Sequence, residues 1–401
     1  MNILFVNDSP FNPIIGGLER VTDVLTKELQ MLGYGVYYLC GKINPLNNSM
    51  LDYAFPAPLY LLPNYGLFED AANCSYYREL IIELQIDVVI NQRGLRGWFN
   101  GLLNHTNTKL ISVIHSTPDS YIRVSVAQLK EVTRPPFKYI KKIFKKIFPR
   151  TISLYKKMQT EEYLKEQYTE LAKGSDAIVV LSNEDIHVLN KFIQTPINVQ
   201  LVSIPNPNTF GVTKHPLIIH KKKIVLYVGR LERVEKNPMR LLKVWEIIHK
   251  KHSEWQLQIV GDGSEKSRMQ SYVKEHGLNS VSFKGRQSNV SKYYAEASFI
   301  CLTSNFEGWG MTLTEGMQYG CIPFTFDNYG AASEIIDNGL NGCLIHSFDI
   351  KQYAERLSML MSDDRSRTEM SLAAIEKVKE FSVENVVMRW DKLFQSLYDH
   401  P

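Results

Sequence analysis

Residues 224–238 read IVLYVGRLERVEKNP, and this stretch decides the architecture. Ile224 to Val228 form an unbroken run of β-prone apolar residues, as expected of a strand covered on both faces. Gly229 and the charged residues after it end the strand, and a helical pattern begins near Pro238. A buried strand leading into a helix is the repeating unit of a parallel sheet, because parallel neighbours need a crossover connection. The same alternation recurs on either side. Downstream, strands read at Leu257–Val260, Val281–Lys284, Phe299–Leu302 and Ile322–Phe326. Upstream, a first series reads at Ile3–Asn7, Val36–Leu39, Val88–Asn91, Leu110–His115 and Ala177–Leu181. The expected fold is α/β, with two doubly wound parallel sheets in two Rossmann-like domains.

The seam lies where Pro205, Asn206 and Pro207 follow the run VSI and a polar stretch leads to Lys223. The expected domains are residues 1–210 and 211–401. A last helix around Glu384 to Leu397 carries Val387, Trp390, Phe394 and Leu397 at helical spacing. Its apolar face suits either domain, including a return to the first.

Bulk properties narrow the function classes. The chain has 401 residues, more than one ordinary core holds, and its 44% hydrophobic and 22% charged content is that of a globular protein. The cysteines Cys40, Cys74, Cys301, Cys321 and Cys343 are scattered and form no C-x-x-C pair, so neither a disulfide framework nor a zinc site is indicated. MNILFVNDSP runs straight into a strand and lacks the features of a signal peptide, and no stretch reaches the roughly 20 apolar residues of a spanning helix. A cytoplasmic location is expected. The net charge is +4, yet nine basic and no acidic residues fall between Arg134 and Lys157. Without them the balance turns negative, which argues against a nucleic-acid-binding body.

Three segments carry candidate chemistry. PIIGGLER, Pro13 to Arg20, places Gly16 and Gly17 between a strand and a helix, where backbone N–H groups can approach a phosphate. The bland alternative is a plain tight turn. The dinucleotide fingerprint G-x-G-x-x-G is absent, which counts against a nicotinamide or flavin enzyme. In 224–238, Arg230 and Lys236 are two cations at a strand's carboxyl end, suited to a diphosphate leaving group, although exposed cations are commonly only solvated. NFEGWGMTLTEGMQYGCIPF places Glu307 in a glycine-rich loop and Glu315 in a short helix whose N-terminus is Met311 to Leu313. Gly308, Trp309 and Gly310 can bring backbone amides to a substrate, and Trp309 is a candidate for narrowing its pocket. The helix end suits a phosphate, and a helix-borne carboxylate can accept from ribose hydroxyls.

Taken together these segments resemble the family 4 retaining glycosyltransferases, which have the GT-B fold of two facing Rossmann-like domains around a cleft. The resemblance covers nearly the whole chain and is strongest between Val225 and Gly342. Its marks are Gly16, Gly17 and Glu19; Arg230 and Lys236; Glu307 to Glu315; and the run GAASEII from Gly330 to Ile336. The turn Gly261, Asp262, Gly263 also fits.

The resemblance implies a nucleotide-sugar donor, with a UDP-sugar expected, and a saccharide or lipid-linked acceptor in cell-surface polysaccharide or lipopolysaccharide synthesis. It implies that Arg230 and Lys236 bind the diphosphate, that Glu315 holds the ribose and that Glu307 faces the sugar's 3- and 4-hydroxyls. Gly310, Met311, Thr312 and Leu313 would line the sugar and phosphate, Gly16 and Gly17 would close over the phosphate, and Arg286 would lie beside the base. His115 matches the histidine placed near the reacting centre, although Ser116, Thr117 and Pro118 after it depart from the family pattern. No cofactor and no metal are expected, since no D-x-D motif is apparent. Rival readings are a sugar-nucleotide epimerase of the same fold and a catalytically silent sugar-binding scaffold.

The basic segment, 134–157, contains FKYIKKIFKKIFPR. Ile143, Phe144, Ile147 and Phe148 recur at helical spacing, with Lys138, Lys141, Lys142, Lys145 and Lys146 on the other face. This pattern fits an interfacial helix on an anionic bilayer, and hence a peripheral protein at the inner face of the cytoplasmic membrane. The alternative is a helix packed on the N-terminal domain with a solvated lysine face.

Overall fold

A computed structural model describes residues 1–41, 53–65, 70–95, 102–103, 106–125, 141–194, 197–210 and 221–399, with the helical backbone alone for 141–156. The chain divides into two compact units. Met1–Asp119, Tyr155–Thr209 and Ser382–Pro401 make the first, and Ser120–Leu154 with Phe210–Phe381 the second.

The first unit holds a parallel sheet of β1 (Asn2–Asn7), β2 (Gly35–Cys40), β3 (Leu59–Leu61), β4 (Val88–Asn91), β5 (Lys109–Val113), β6 (Ala177–Val180) and β7 (Gln200–Ser203), in the order β3-β2-β1-β4-β5-β6-β7. Alternate residues of β1 serve opposite faces. Leu4 and Val6 join Tyr77, Leu80 and Ile81 of α2 (Ala71–Glu83) in one apolar cluster. Phe5 packs edge-on to Phe11 and Tyr38, and the Tyr38 hydroxyl donates to Thr26 Oγ1 of α1 (Gly17–Met31) at 2.7 Å. The helices α3 (Lys141–Lys173) and α4 (Asn183–Asn190) follow.

The second unit repeats the plan. Its strands are β8 (Lys222–Val228), β9 (Gln256–Val260), β10 (Val281–Gly285), β11 (Ala297–Cys301), β12 (Ile322–Phe326) and β13 (Cys343–Ile345), ordered β10-β9-β8-β11-β12-β13. The connecting helices are α5 (Met239–Ile248), α6 (Lys266–Glu275), α7 (Ser291–Glu296), α8 (Met311–Gln318), α9 (Ala331–Ile335), α10 (Ile350–Met361) and α11 (Asp364–Val378). In both sheets the first strand lies inside, so the winding reverses beside it: between β1 and β4, and between β8 and β11. That reversal opens a crevice at the carboxyl ends of the two strands, where such sheets take ligands.

The strands β3, β7 and β13 have no counterpart in the sequence reading. They are three or four residues long, too short for their pattern to stand out from the neighbouring loops. The last helix, α12 (Val383–Asp399), belongs to the first unit, where Val387, Trp390, Phe394 and Leu397 are buried. It packs on α1, and the Tyr34 ring meets Phe394 edge-on at 5.6 Å while its hydroxyl donates to Asp391. Residues 120–154 group with the second unit rather than with the residues around them, and Arg123 Nη1 donates to the Asn328 carbonyl at 2.5 Å. Of the basic segment, Lys138 lies outside the described residues, and the side chains of Lys141, Lys142, Phe144, Lys145, Lys146 and Phe148 do too.

Candidate functional site

In the second unit the crevice is built from the tips of β8, β9 and β11. The β8 and β9 tips interlock through backbone bonds, Gly229 N–H to Val260 O at 3.0 Å and Leu231 N–H to Asp262 O at 2.9 Å. Gly261 allows this approach. Its φ is +147°, and a Cβ there would lie 1.9 Å from the Gly229 carbonyl oxygen. The Tyr227 hydroxyl donates to the Arg230 carbonyl at 3.0 Å, so the strand itself fixes the start of the loop.

The rest of the loop is held from β11's side. Asn305 N–H donates to Glu235 O at 2.7 Å, and Asn305 Nδ2 to Val234 O at 2.7 Å. Asn328 in turn donates to the Asn305 carbonyl at 2.6 Å. Lys236 is thereby brought to Glu307: its Nζ donates to Oε1 at 2.8 Å and Oε2 at 2.7 Å, and also lies 3.0 Å from Glu235 Oε1. Ser304 Oγ donates to Glu307 Oε1 at 2.6 Å. The Lys236 side chain is 17% exposed and that of Glu307 7%. Burial disfavours the lysine's charge, yet Glu307 and Glu235 outweigh it and hold the pKa above the ordinary lysine value. Burial likewise opposes ionisation of Glu235, and Lys236 with Arg230 overcomes it and lowers that pKa.

Arg230 sits differently. At 58% exposure it forks outward to Glu232 at 3.1 Å and Glu235 at 2.7 Å. The arrangement is a buried ammonium and a solvent-facing guanidinium on one short loop. Such a pair can follow a diphosphate as negative charge develops on it, the lysine as a point charge and the arginine as a movable fork.

Gly310 caps α8 with φ +92°, a conformation that favours glycine, and a Cβ there would press within 3.0 Å of the Tyr329 hydroxyl. Met311 and Thr312 are half-buried in the first helical turn, whose N–H groups have no intrahelical partners. Leu313 departs from expectation: its side chain is fully buried, and its N–H is bonded to Gly310 O at 2.8 Å. Trp309 does not border an open pocket, being 2% exposed and edge-on to Phe381 at 5.0 Å. Glu315 is buried, and its Oε2 accepts from the Tyr294 hydroxyl at 2.8 Å. Arg286 is exposed just beyond β10.

In the first unit, Gly16 caps α1 in extended conformation, and Glu19 folds back over it, close enough that a Cβ on Gly16 would lie 2.7 Å from Oε2. Burial raises the Glu19 pKa. Gly17 opens the helix. His115 lies just beyond β5 with its Nε2 buried and lacking a hydrogen-bond partner, and burial lowers its pKa to about 4. It is therefore neutral at physiological pH, with one ring nitrogen available to a ligand.

The sequence reading missed the residues that position this chemistry: Asn305, Asn328, Ser304 and Tyr294. They act through a few individual hydrogen bonds, which leave no periodic trace. Only Glu235, adjacent to Lys236, stood in the quoted loop.

Comparisons with known proteins agree with this fold. The family profile described as Glycosyltransferase Family 4 matches residues 15–206, and that described as Glycosyl transferases group 1 matches residues 213–377. An α-1,4-N-acetyl-D-galactosaminyltransferase of Campylobacter jejuni, named for a PP-undecaprenol-linked saccharide, is 28% identical over 54% of this chain and 59% of its own. The poly(ribitol-phosphate) α-N-acetylglucosaminyltransferase of Staphylococcus aureus is 24% identical over 90% of this chain and 65% of its own. The chain spans 59–62% of the length of the C. jejuni enzyme and of two further curated relatives. Among solved structures, the pneumococcal O-GlcNAc transferase GtfA in complex with UDP and GlcNAc superposes with a TM-score of 0.73 at 15% identity, over 100% of this chain and 99% of that one. With both sheets, their crevices and the two profile matches in agreement, the chain belongs to the family 4 glycosyltransferases and has the GT-B fold.

Proposed function

We propose that the protein is a retaining glycosyltransferase that moves a hexosyl or N-acetylhexosaminyl group from a nucleotide sugar, with UDP as the expected nucleotide, to a saccharide or lipid-linked saccharide of a cell-surface polymer. The observation that carries this reading is the pair of half-buried Lys236 and buried Glu307 beside Arg230 at the β8–β11 reversal. The relatives' names, an acceptor on PP-undecaprenol and one on poly(ribitol-phosphate), support the acceptor class.

In this reading the donor diphosphate enters against Arg230 and Lys236, drawing them from their carboxylate partners. Glu307, relieved of part of its lysine contact, accepts from sugar hydroxyls. Configuration is retained by front-side displacement: the C1–O bond to the diphosphate breaks as the acceptor oxygen approaches the same face, and the departing phosphate oxygen takes the acceptor's proton. The protein positions the reactants and stabilises the charge growing on the leaving group. Arg230 and Lys236 supply charge that a divalent ion supplies elsewhere, and activity is expected to survive EDTA.

Incubation with a panel of radiolabelled nucleotide sugars tests this. Label should reach an added saccharide or lipid-linked acceptor. Epimerisation without acceptor, or no binding of any nucleotide sugar, overturns the proposal.

Membrane contact belongs to the same reading. Among the described residues no helix is long and apolar enough to cross a membrane. The basic face of Lys138, Lys141, Lys142, Lys145 and Lys146 would contribute about 1 kcal/mol per lysine at an anionic surface, with Phe144 and Phe148 adding apolar contact. Wild type should pellet with anionic vesicles at low salt, and a variant with Lys141, Lys142, Lys145 and Lys146 changed to glutamate should not. Equal behaviour of the two refutes the contact.

A further inference from the structure

Phe348 has a backbone conformation that phenylalanine rarely takes. His346 to Asp349 form a turn closed by Asp349 N–H to His346 O at 2.9 Å, and at its third position Phe348 has φ +66°. Glycine suits such a position, while a bulky side chain there is strained and persists only where the surroundings fix it. What fixes it is visible. The inner face of the ring lies on the Arg240 guanidinium, 4.1 Å from its Cζ, and the ring meets Phe326 edge-on at 5.5 Å. Arg240 is held in turn by its Nη1 bond to Thr303 O at 3.1 Å. The result is a rigid aromatic plate that remains 41% exposed.

Its neighbours are polar. Asp327, just past β12, accepts from Ser347 Oγ at 2.9 Å on one oxygen and has His346 Nδ1 3.8 Å from the other, yet keeps 45% of its side chain exposed, with His346 77% exposed. An exposed ring face beside an exposed carboxylate suits a pyranose, which presents C–H bonds on one face and hydroxyls around its edge. The place in the sheet agrees. Reading across the carboxyl ends gives Arg286 at β10, Arg230 and Lys236 at β8, Glu307 at β11, then Asp327 at β12 and Phe348 after β13. From β11 to β13 is about 10 Å at ordinary strand spacing, roughly the span of two linked sugar rings.

We infer that Phe348 and Asp327 form a saccharide subsite at the carboxyl end of β12 and β13, with the ring as stacking platform and the carboxylate as acceptor of sugar hydroxyls. Resting on the glycosyl-transfer reading, it receives the part of the acceptor that lies beyond the sugar being modified. Arg240 is a positioning residue that holds the plate.

Saturation-transfer NMR on the full chain, with saturating UDP, tests the subsite. The probes are methyl α-glucoside, methyl α-galactoside and methyl N-acetyl-α-glucosaminide. In wild type at least one probe should receive saturation at its ring C–H protons. Phe348→Gly relieves the backbone and removes the plate, so melting temperature should hold or rise while the apparent affinity for that probe falls roughly ten-fold, the scale of one aromatic contact. Phe348→Tyr should restore binding, and Asp327→Asn should weaken it. UDP affinity should be the same in all. No saturation of any probe, or equal affinity in Phe348→Gly, overturns the subsite. Failure of UDP itself to bind the wild type overturns the glycosyl-transfer reading instead.

Discussion

The two sheets share one order over their first six strands, but the loops that leave their first strands are built from different materials. After β1 the chain turns on amide bonds: the Ile14 N–H donates to Asn12 Oδ1 at 3.0 Å, and a glycine pair opens the helix. In the same sheet, His115 just beyond β5 is held neutral by burial. After β8 the chain turns on charge, with Lys236 caged by Glu307 and Glu235 and with Arg230 forked to Glu232 and Glu235. A shared topology supplies two crevices, and the residue types at the strand tips give one of them charge and the other none; in the proposed function the charged one receives the leaving anion. If the charges that hold this loop also serve the donor, as proposed, chemistry and stability are coupled there.

Lysine and arginine of the second loop should separate those two roles. Lys236→Ala and Arg230→Ala should each lower turnover by roughly 10²–10³-fold, the scale of one lost transition-state contact. Lys236→Ala leaves Glu307 buried without its cation and should also cost about 3 kcal/mol in urea unfolding. Arg230→Ala removes an exposed fork and should stay within about 0.5 kcal/mol. Equal stability losses would break the distinction between caged and solvent-facing charge.

Glycines give the next contrast. Gly261→Ala drives a Cβ into a backbone carbonyl that cannot move away, and a loss of about 3 kcal/mol is expected by thermal or urea unfolding. Gly16→Ala meets only the end of the Glu19 side chain, which can swing aside, so about 0.5–1 kcal/mol is expected. If the two losses match, the β8–β9 interlock is not the tighter joint.

His115 gives a smaller, pH-dependent effect. Folded, it takes up its proton at about 4, against 6.5 as the ordinary value. The unfolded chain therefore binds that proton first, and stability falls as pH drops from about 6.5 toward 4. Unfolding at pH 7.5, 6 and 5 should show a shallower decline for His115→Gln than for wild type. Parallel declines would mean that His115 is not held neutral.

The long central strands were legible because an uncovered edge never interrupts their apolar runs: Ile3 to Val6 and Ile224 to Val228 are buried residue by residue. The edge strands β3 and β7 were not, since three or four residues, none of them buried, are too few to show a strand's pattern. The charged candidates Arg230, Lys236 and Glu307 could be found from their place after strands. Their partners could not, because Asn305 meets Val234 from 71 residues away through one amide. Trp309 misled for a plain reason: a tryptophan between glycines in a binding loop can turn toward ligand or core, and here Phe381 offers the core side. Phe348 was invisible, as nothing in HSFD announces a positive φ.

The return of α12 to the first unit has a consequence for biosynthesis. On a ribosome, α1 emerges first, but the helix that packs on it emerges only after residues 210–381, the larger part of the second unit. At the usual about 5–20 residues per second, that delay is on the order of ten seconds or more. During it the nascent chain lacks the cover that Phe394 gives the Tyr34 ring, so nascent-chain chaperones should engage the first unit until Phe394 arrives.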